Sequence, residues 1–306
     1  MINGISRIHS CVSRLKEECV STTLITGTST GIGLATAVTL ARGGHTVFAT
    51  MRNPAGGAGE IRAIADAEKL PITVVPMDVD DDASVRDGVA QALAQSGRID
   101  VLVNNAGIGV HGAVEELPLA EFRRAMETNF YGALRCIQAV APGMRERRQG
   151  CIVNVTSVAG RLALSPQAPY AASKWALEAA SEALAQELKP FGVRVAIVEP
   201  GVIATPILAK IKPNPPNSHY PYARRLNALF AASIKNPVSP YVVGEAIRRI
   251  AESDSWQLRY PVGPDAVPFL AWRAAMSDED WVNWAALPDE EWLARVKRDF
   301  GLELEL

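Results

Sequence analysis

One segment narrows the choice of fold more than any other. Thr26-Gly27-Thr28-Ser29-Thr30-Gly31-Ile32-Gly33 lies between a short apolar run, Thr23–Ile25, and a stretch with helical spacing, Ile32–Arg42. Glycine turns sharply because it has no Cβ, and it lets a phosphate approach the main chain. The free N–H groups at the start of the following helix, with the positive end of its dipole, then hold the anion. Glycines in a turn are common, but glycines placed between a strand and a helix mark a dinucleotide cradle. Gly27, Ser29, Thr30, Gly31, Ile32 and Gly33 are therefore candidate cofactor contacts.

The alternation continues along the chain. Apolar runs at Thr46–Ala49, Ile72–Val75, Val101–Val103, Ile152–Val155 and Val193–Val198 are separated by helical stretches at Gly57–Lys69, Ala83–Gln95, Phe122–Arg147 and Ala171–Phe191. This predicts an α/β fold: a three-layer, doubly wound parallel sheet of Rossmann type, with expected strand order 3-2-1-4-5-6-7. Such a sheet binds ligands beyond the carboxyl ends of its strands. Residues 20–265 are expected to form one catalytic domain. It contains a substrate-facing insertion, 206–240, rich in proline and aromatics (Pro213, Pro215, Pro216, Tyr220, Pro221, Tyr222). Val242–Glu252 has helical spacing, and Leu258–Val262 is a further apolar run. Residues 266–306 carry Trp272, Trp281, Trp284 and Trp292, whose spacing predicts short helices packed on the same body. Residues 1–19 are weakly patterned and are read as an extension that need not be native.

Several function classes are disfavoured. The net charge of -2 does not point to nucleic acid or an acidic membrane as partner. No apolar run reaches the roughly 18 residues that span a bilayer, and residues 1–19 lack the apolar core of a secretory signal. Cys11, Cys19, Cys136 and Cys151 show no paired spacing, which suits a reducing cytoplasm. His9, His45, His111 and His219 have no ligand spacing, so no metal site is expected.

Further motifs follow the cradle in order. Asn104-Asn105-Ala106-Gly107 comes after the fourth strand, Asn129 lies in the next helix, and Ser157 ends the fifth strand. Tyr170-x-x-x-Lys174 opens the following helix, and Pro200-Gly201 and Thr205 follow the sixth strand. Together with the cradle spacing Thr-Gly-x-x-x-Gly-x-Gly, over about residues 20–205, this pattern resembles the short-chain dehydrogenase/reductase family. Ala49-Thr50-Met51-Arg52 and Arg259-Tyr260-Pro261-Val262-Gly263-Pro264 resemble the branch that includes 17β-hydroxysteroid and retinol dehydrogenases.

The residues carry a coherent chemistry. Tyr170 and Lys174 share a helix face. A free phenol has a pKa of about 10, and a neighbouring ammonium lowers it. Tyr170 is then the general acid and base, Ser157 orients the reacting oxygen, and Lys174 also holds the nicotinamide ribose. The resemblance implies that Asn129 holds a water linking Lys174 to solvent. At the second strand's end stands Arg52, with no carboxylate before Glu60. A fork of donors there, with Ser29, suits the 2′-phosphate of NADP, so NADP(H) is expected over NAD(H). Asp78, beside Val79, resembles the contact to the adenine amino group. Asn105, Ala106 and Gly107 line the cofactor pocket, and Pro200, Gly201, Val202 and Thr205 pass beside the nicotinamide.

The expected substrate is a small lipophilic ketone, aldehyde or alcohol, walled by Val158, Leu162, Leu164, Ile207, Leu208, Ile211, Leu226 and Phe230. His111 is read as a loop residue at the pocket rim. Arg224 and Arg225 are read as solvated charges, with contact to an acidic substrate group as the alternative. Helices Phe122–Arg147 and Ala171–Phe191 are expected to pair across subunits in a homodimer or homotetramer. The rival readings are a catalytically silent NADP(H)-binding sensor or scaffold, and a nucleotide-sugar epimerase or dehydratase. The first loses the tyrosine or lysine, and the second usually has a different glycine spacing.

Overall fold

The structure, a computed structural model, describes residues 20–209, 218–220 and 223–306. The extension 1–19 and Ile211, Pro213, Pro215, Pro216, Pro221 and Tyr222 of the insertion lie outside the described residues. Among the described residues, seven strands form one parallel sheet: β1 (Thr22–Ile25), β2 (Thr46–Met51), β3 (Ile72–Pro76), β4 (Val101–Asn104), β5 (Gly150–Val155), β6 (Val193–Pro200) and β7 (Arg259–Val262). Their order is β3-β2-β1-β4-β5-β6-β7, the order expected of this Rossmann-type sheet.

Successive strand residues point to opposite faces, so each strand feeds two cores. On one face Ile25, Val47 and Val153 pack against Leu34 and Val38 of the Gly31–Arg42 helix and Val243 and Ile247 of the Tyr241–Glu252 helix. On the other, Leu24, Phe48 and Ile152 meet Val85 and Val89 of the Asp82–Ser96 helix and Cys136 and Val140 of the Gly132–Arg147 helix. Burial on both faces is why the strands read as nearly unbroken apolar runs. Gly244 lets two helices close on each other. A Cβ there would stand 2.9 Å from Thr39 Oγ1 and 3.1 Å from the Ala35 carbonyl oxygen.

The expected single helix Phe122–Arg147 is instead three pieces: Leu119–Met126, a π-helical turn over Glu127–Tyr131, and Gly132–Arg147. The wider turn shifts the helix face locally and buries Thr128 and Asn129. Apolar spacing does not register such a one-residue insertion. The next difference lies at a strand end. Ser157 does not end β5, which stops at Val155. Ser157 caps the 3₁₀ turn Val158–Gly160, its Oγ accepting the Ala159 N–H at 3.1 Å.

Three helices close the chain, Ala266–Ala274, Asp278–Ala286 and Asp289–Phe300. Trp284 and Trp292 are buried between them, and Trp272 meets Trp281 and Trp284 edge-on at 5.4 and 5.0 Å. Leu229, from the Ala223–Ser233 helix of the insertion, enters this cluster. Arg225 of the same helix is buried and donates to Asp289 at 2.7 Å and to the Leu287 carbonyl at 2.6 Å. Arg224 also pairs with Asp289. Arg225 is thus not the solvated charge expected from sequence, whereas Arg224 stays exposed beside Asp289. Among the described residues, no helix is long and apolar enough to cross a membrane.

Candidate active site

The turn after β1 is built from main chain in close contact. Gly27 and Gly31 are left-handed, with φ of 70° and 61°. A Cβ on Gly33 would lie 2.2 Å from the Gly27 carbonyl oxygen, and one on Gly27 would lie 2.8 Å from Ala106 Cα. No side chain fits at these positions. The helix that begins here has no acidic residue in its first turn and no side-chain cap from Thr30. Its positive end is left for a ligand anion, so the cradle fits a dinucleotide pyrophosphate. Asn105 braces it: Nδ2 donates to the carbonyls of Thr26 and Gly27 at 2.9 and 3.1 Å. Asn104 ties β4 to β5 through Asn154 at 2.8 Å.

From the cradle a cavity of about 740 Å³ runs along the carboxyl edge of the sheet. It starts at Arg52 and Ser29, passes Asp78, Val79 and Gly107, and reaches Ser157, Tyr170 and Lys174. It ends among Leu164, Leu226, Phe230 and Phe269. Every expected cofactor contact lines it except Gly33, which sits beneath Gly27. The expected apolar wall residues line it too, apart from Ile211, which lies outside the described residues.

At the centre, Lys174 is buried and its Nζ donates to the Val155 carbonyl at 2.9 Å, lying 5.7 Å from the Tyr170 ring centre. Burial pulls the Lys174 ammonium down to a pKa of about 8, with Glu178 opposing. Burial also pushes the Tyr170 phenol up, while the Ser157 hydroxyl acts to lower it. The Lys174 ammonium rests on the strand-end carbonyl of Val155 beneath the phenol. Asn129 does not line the cavity. Its Oδ1 accepts the Ile108 N–H at 2.8 Å, and its Nδ2 donates to the Ile108 carbonyl and Ser173 Oγ at 3.0 and 2.9 Å. Its side-chain amide fastens the loop after β4 to the helix of Tyr170.

His111 is not at the rim. It lies in the cavity wall, 6.3 Å from the Tyr170 ring and 3.1 Å from Gln167 Nε2. Burial draws its pKa down to about 4. Two residues escaped the sequence reading. Asp265 accepts the Val202 N–H at 2.7 Å and stands so close to Gly201 that a Cβ there would lie 2.1 Å from its Oδ1. Glu178 is a buried carboxylate one turn beyond Lys174. The first belongs to a strand-end tail distant in sequence. The second was legible as a carboxylate four residues after Lys174. Among the described residues no cluster is suited to hold a metal ion.

The short chain dehydrogenase family matches residues 21–216. A 3-ketodihydrosphingosine reductase from Bacteroides thetaiotaomicron is 35% identical over 79% of this chain and 87% of its own length. Retinol dehydrogenase 8 of Bos taurus is 38% identical over 83% of this chain and 85% of its own. A short-chain dehydrogenase from Streptomyces avermitilis superposes with a TM-score of 0.76 at 33% identity, covering 87% of this chain and 96% of that one.

Proposed function

This chain belongs to the short-chain dehydrogenase family, in the branch resembling retinol dehydrogenases, and is an oxidoreductase working with a nicotinamide cofactor; on that premise we propose that it interconverts a lipophilic ketone or aldehyde with its alcohol, using NADP(H) and Tyr170 as proton carrier. The observation that carries this reading is one cavity with the glycine cradle at one end, Tyr170, Ser157 and Lys174 at its middle and apolar side chains at the other.

When bound, the dinucleotide supplies or accepts the hydride. Tyr170 gives its phenolic proton to the carbonyl oxygen in reduction and removes the hydroxyl proton in oxidation. Ser157, which faces the phenol, orients the same oxygen. Lys174 supplies positive charge beneath, and on leaving the Val155 carbonyl it can reach the phenol and the ribose. Asn129 acts indirectly, by holding the loop and the helix in register. Arg52 is exposed at the cavity's end with no carboxylate between residues 50 and 59. That favours a 2′-phosphate over a bare ribose, which an acid would grip.

Leu164, Leu226, Phe230 and Phe269 offer a lipophilic chain or ring a wall with few polar anchors. The relatives named for retinol and for 3-ketodihydrosphingosine, both lipids, support the same class. We read residues 20–265 as the catalytic unit, 206–240 as its substrate-facing insertion, and 266–306 as a helical extension. The exposed Tyr131 and Trp175 suit pairing of the long helices in a homo-oligomer, and the free buried thiols of Cys136 and Cys151 suit a cytoplasm. Oxidation of NADPH and NADH with a panel of long-chain and cyclic ketones and aldehydes tests the reading. Turnover with NADPH on lipophilic carbonyls is expected. No turnover with any of them, or equal use of NADH, contradicts the corresponding part.

A further inference from the structure

The helix that presents Tyr170 and Lys174 carries a third ionisable group on its buried side. Glu178 lies one turn beyond Lys174, and each is only 4% exposed. The two side chains land on consecutive residues just where β5 ends. Lys174 Nζ donates to the Val155 carbonyl at 2.9 Å, and Glu178 Oε1 accepts the Thr156 hydroxyl at 2.6 Å. Thr156 immediately precedes Ser157, the residue facing the Tyr170 phenol. The other oxygen of Glu178 accepts from Arg259 Nε of β7 at 3.0 Å. Beyond it stand Glu199 of β6, fully buried, and Arg161 of the turn after β5, 3.3 Å from Glu199. Arg259 also lies 3.5 Å from Glu199. Gly160 makes room for this packing, since a Cβ there would stand 2.9 Å from Glu178 Cγ.

Holding a carboxylate at this depth is unfavourable unless it is paired and hydrogen-bonded, and here it is both. We propose that Glu178 is a positioning residue for proton transfer: fixed by Thr156 and Arg259, it keeps negative charge one helical turn from Lys174 and so keeps that buried amine protonated. This rests on the assignment of Tyr170 and Lys174 made above. The groups around Lys174 support it. Tyr170 on its own helix, the Asn129 amide from the π turn, the Gly107 main chain and the Val155 carbonyl are all uncharged. Glu199, Arg259 and Arg161 stand behind Glu178. Burial draws Lys174 toward the neutral amine, and Glu178 is the group that opposes it. The carboxyl of Glu199 is pushed up by its burial and then by the Glu178 carboxylate.

The test is a titration of the full chain labelled with ¹³Cε-lysine, the Lys174 resonance being the one lost in Lys174→Met. In Glu178→Gln the Lys174 midpoint is expected to fall by about one pH unit, the lower end of what a close charge does. The alkaline limb of kcat/KM for carbonyl reduction should fall with it. Loosened packing would instead hydrate Lys174 and raise its midpoint, so the direction of the shift separates charge from structure. Glu178→Met removes the charge with a side chain of similar length and should lower the midpoint as well. An unchanged or raised midpoint in Glu178→Gln overturns the proposal. If the Gln variant does not fold, an unchanged or raised midpoint in Glu178→Met overturns it. The titration needs no turnover, so it is independent of the catalytic reading. Full activity in Tyr170→Phe would remove that reading whatever Lys174 does.

Discussion

At the cradle end of the cavity the main chain itself is the surface, whereas at the far end the surface is made of side chains from segments distant in sequence. Gly27, Gly31 and Gly33 sit where an added Cβ would meet Ala106, Thr205 or the Gly27 carbonyl at 3.2 Å or less. The opposite wall is Leu164 before the helix of Tyr170, Leu226 and Phe230 from the insertion, and Phe269 from the last helices. A wall of touching backbone admits almost no variation. A wall of side chains can change shape while the sheet stays as it is. On the proposed reading, the fold sets the cofactor, and the insertion and the last helices set the substrate.

That contrast breaks if the cradle tolerates change or the far wall does not. Gly33→Ala puts a methyl group 2.2 Å from a carbonyl oxygen and should abolish measurable cofactor binding by calorimetry; binding near the original affinity would show the cradle to be deformable. Arg52→Ala is expected to weaken NADPH by about ten- to a hundred-fold, the worth of a hydrogen bond to a charged group, and to leave NADH nearly unchanged. Equal losses would mean that Arg52 does not read the phosphate. Phe230→Ala should raise KM for a lipophilic carbonyl by about tenfold, in line with one buried apolar side chain, with the NADPH Kd unaltered. A matching rise in both would join the two ends that the comparison separates. Arg225→Ala should have the smallest effect, a drop of a few degrees in Tm with a modest rise in KM, because it frees the Ala223–Ser233 helix from Asp289 and Leu287. An unchanged Tm would show that the aromatic cluster alone holds that helix.

The same contrast explains what was legible in the sequence. The cradle, the alternation of strands and helices and the Tyr170–Lys174 pair follow from local spacing, because glycine placement and helix periodicity act over a few residues. Arg225 gave no such sign, since its partner Asp289 arrives from the other end of the chain. His111 read as a rim residue because its burial depends on Gln167, Tyr170 and Phe230, which come from elsewhere. The π turn at Asn129 was hidden in an otherwise helical pattern, and it turns the Asn129 side chain to Ile108 and Ser173. Asp265, at the start of a helix, reaches across to Val202 instead of capping its own helix, a choice that only tertiary contact decides.

The most direct test compares Tyr170→Phe with the original chain, reading NADPH oxidation with a lipophilic ketone and, separately, NADPH binding by calorimetry. Loss of the general acid should lower kcat by about 10²–10⁴-fold while the Kd for NADPH stays close to its original value. Turnover within a few-fold of the original would contradict the account, since the proton would then come from another group.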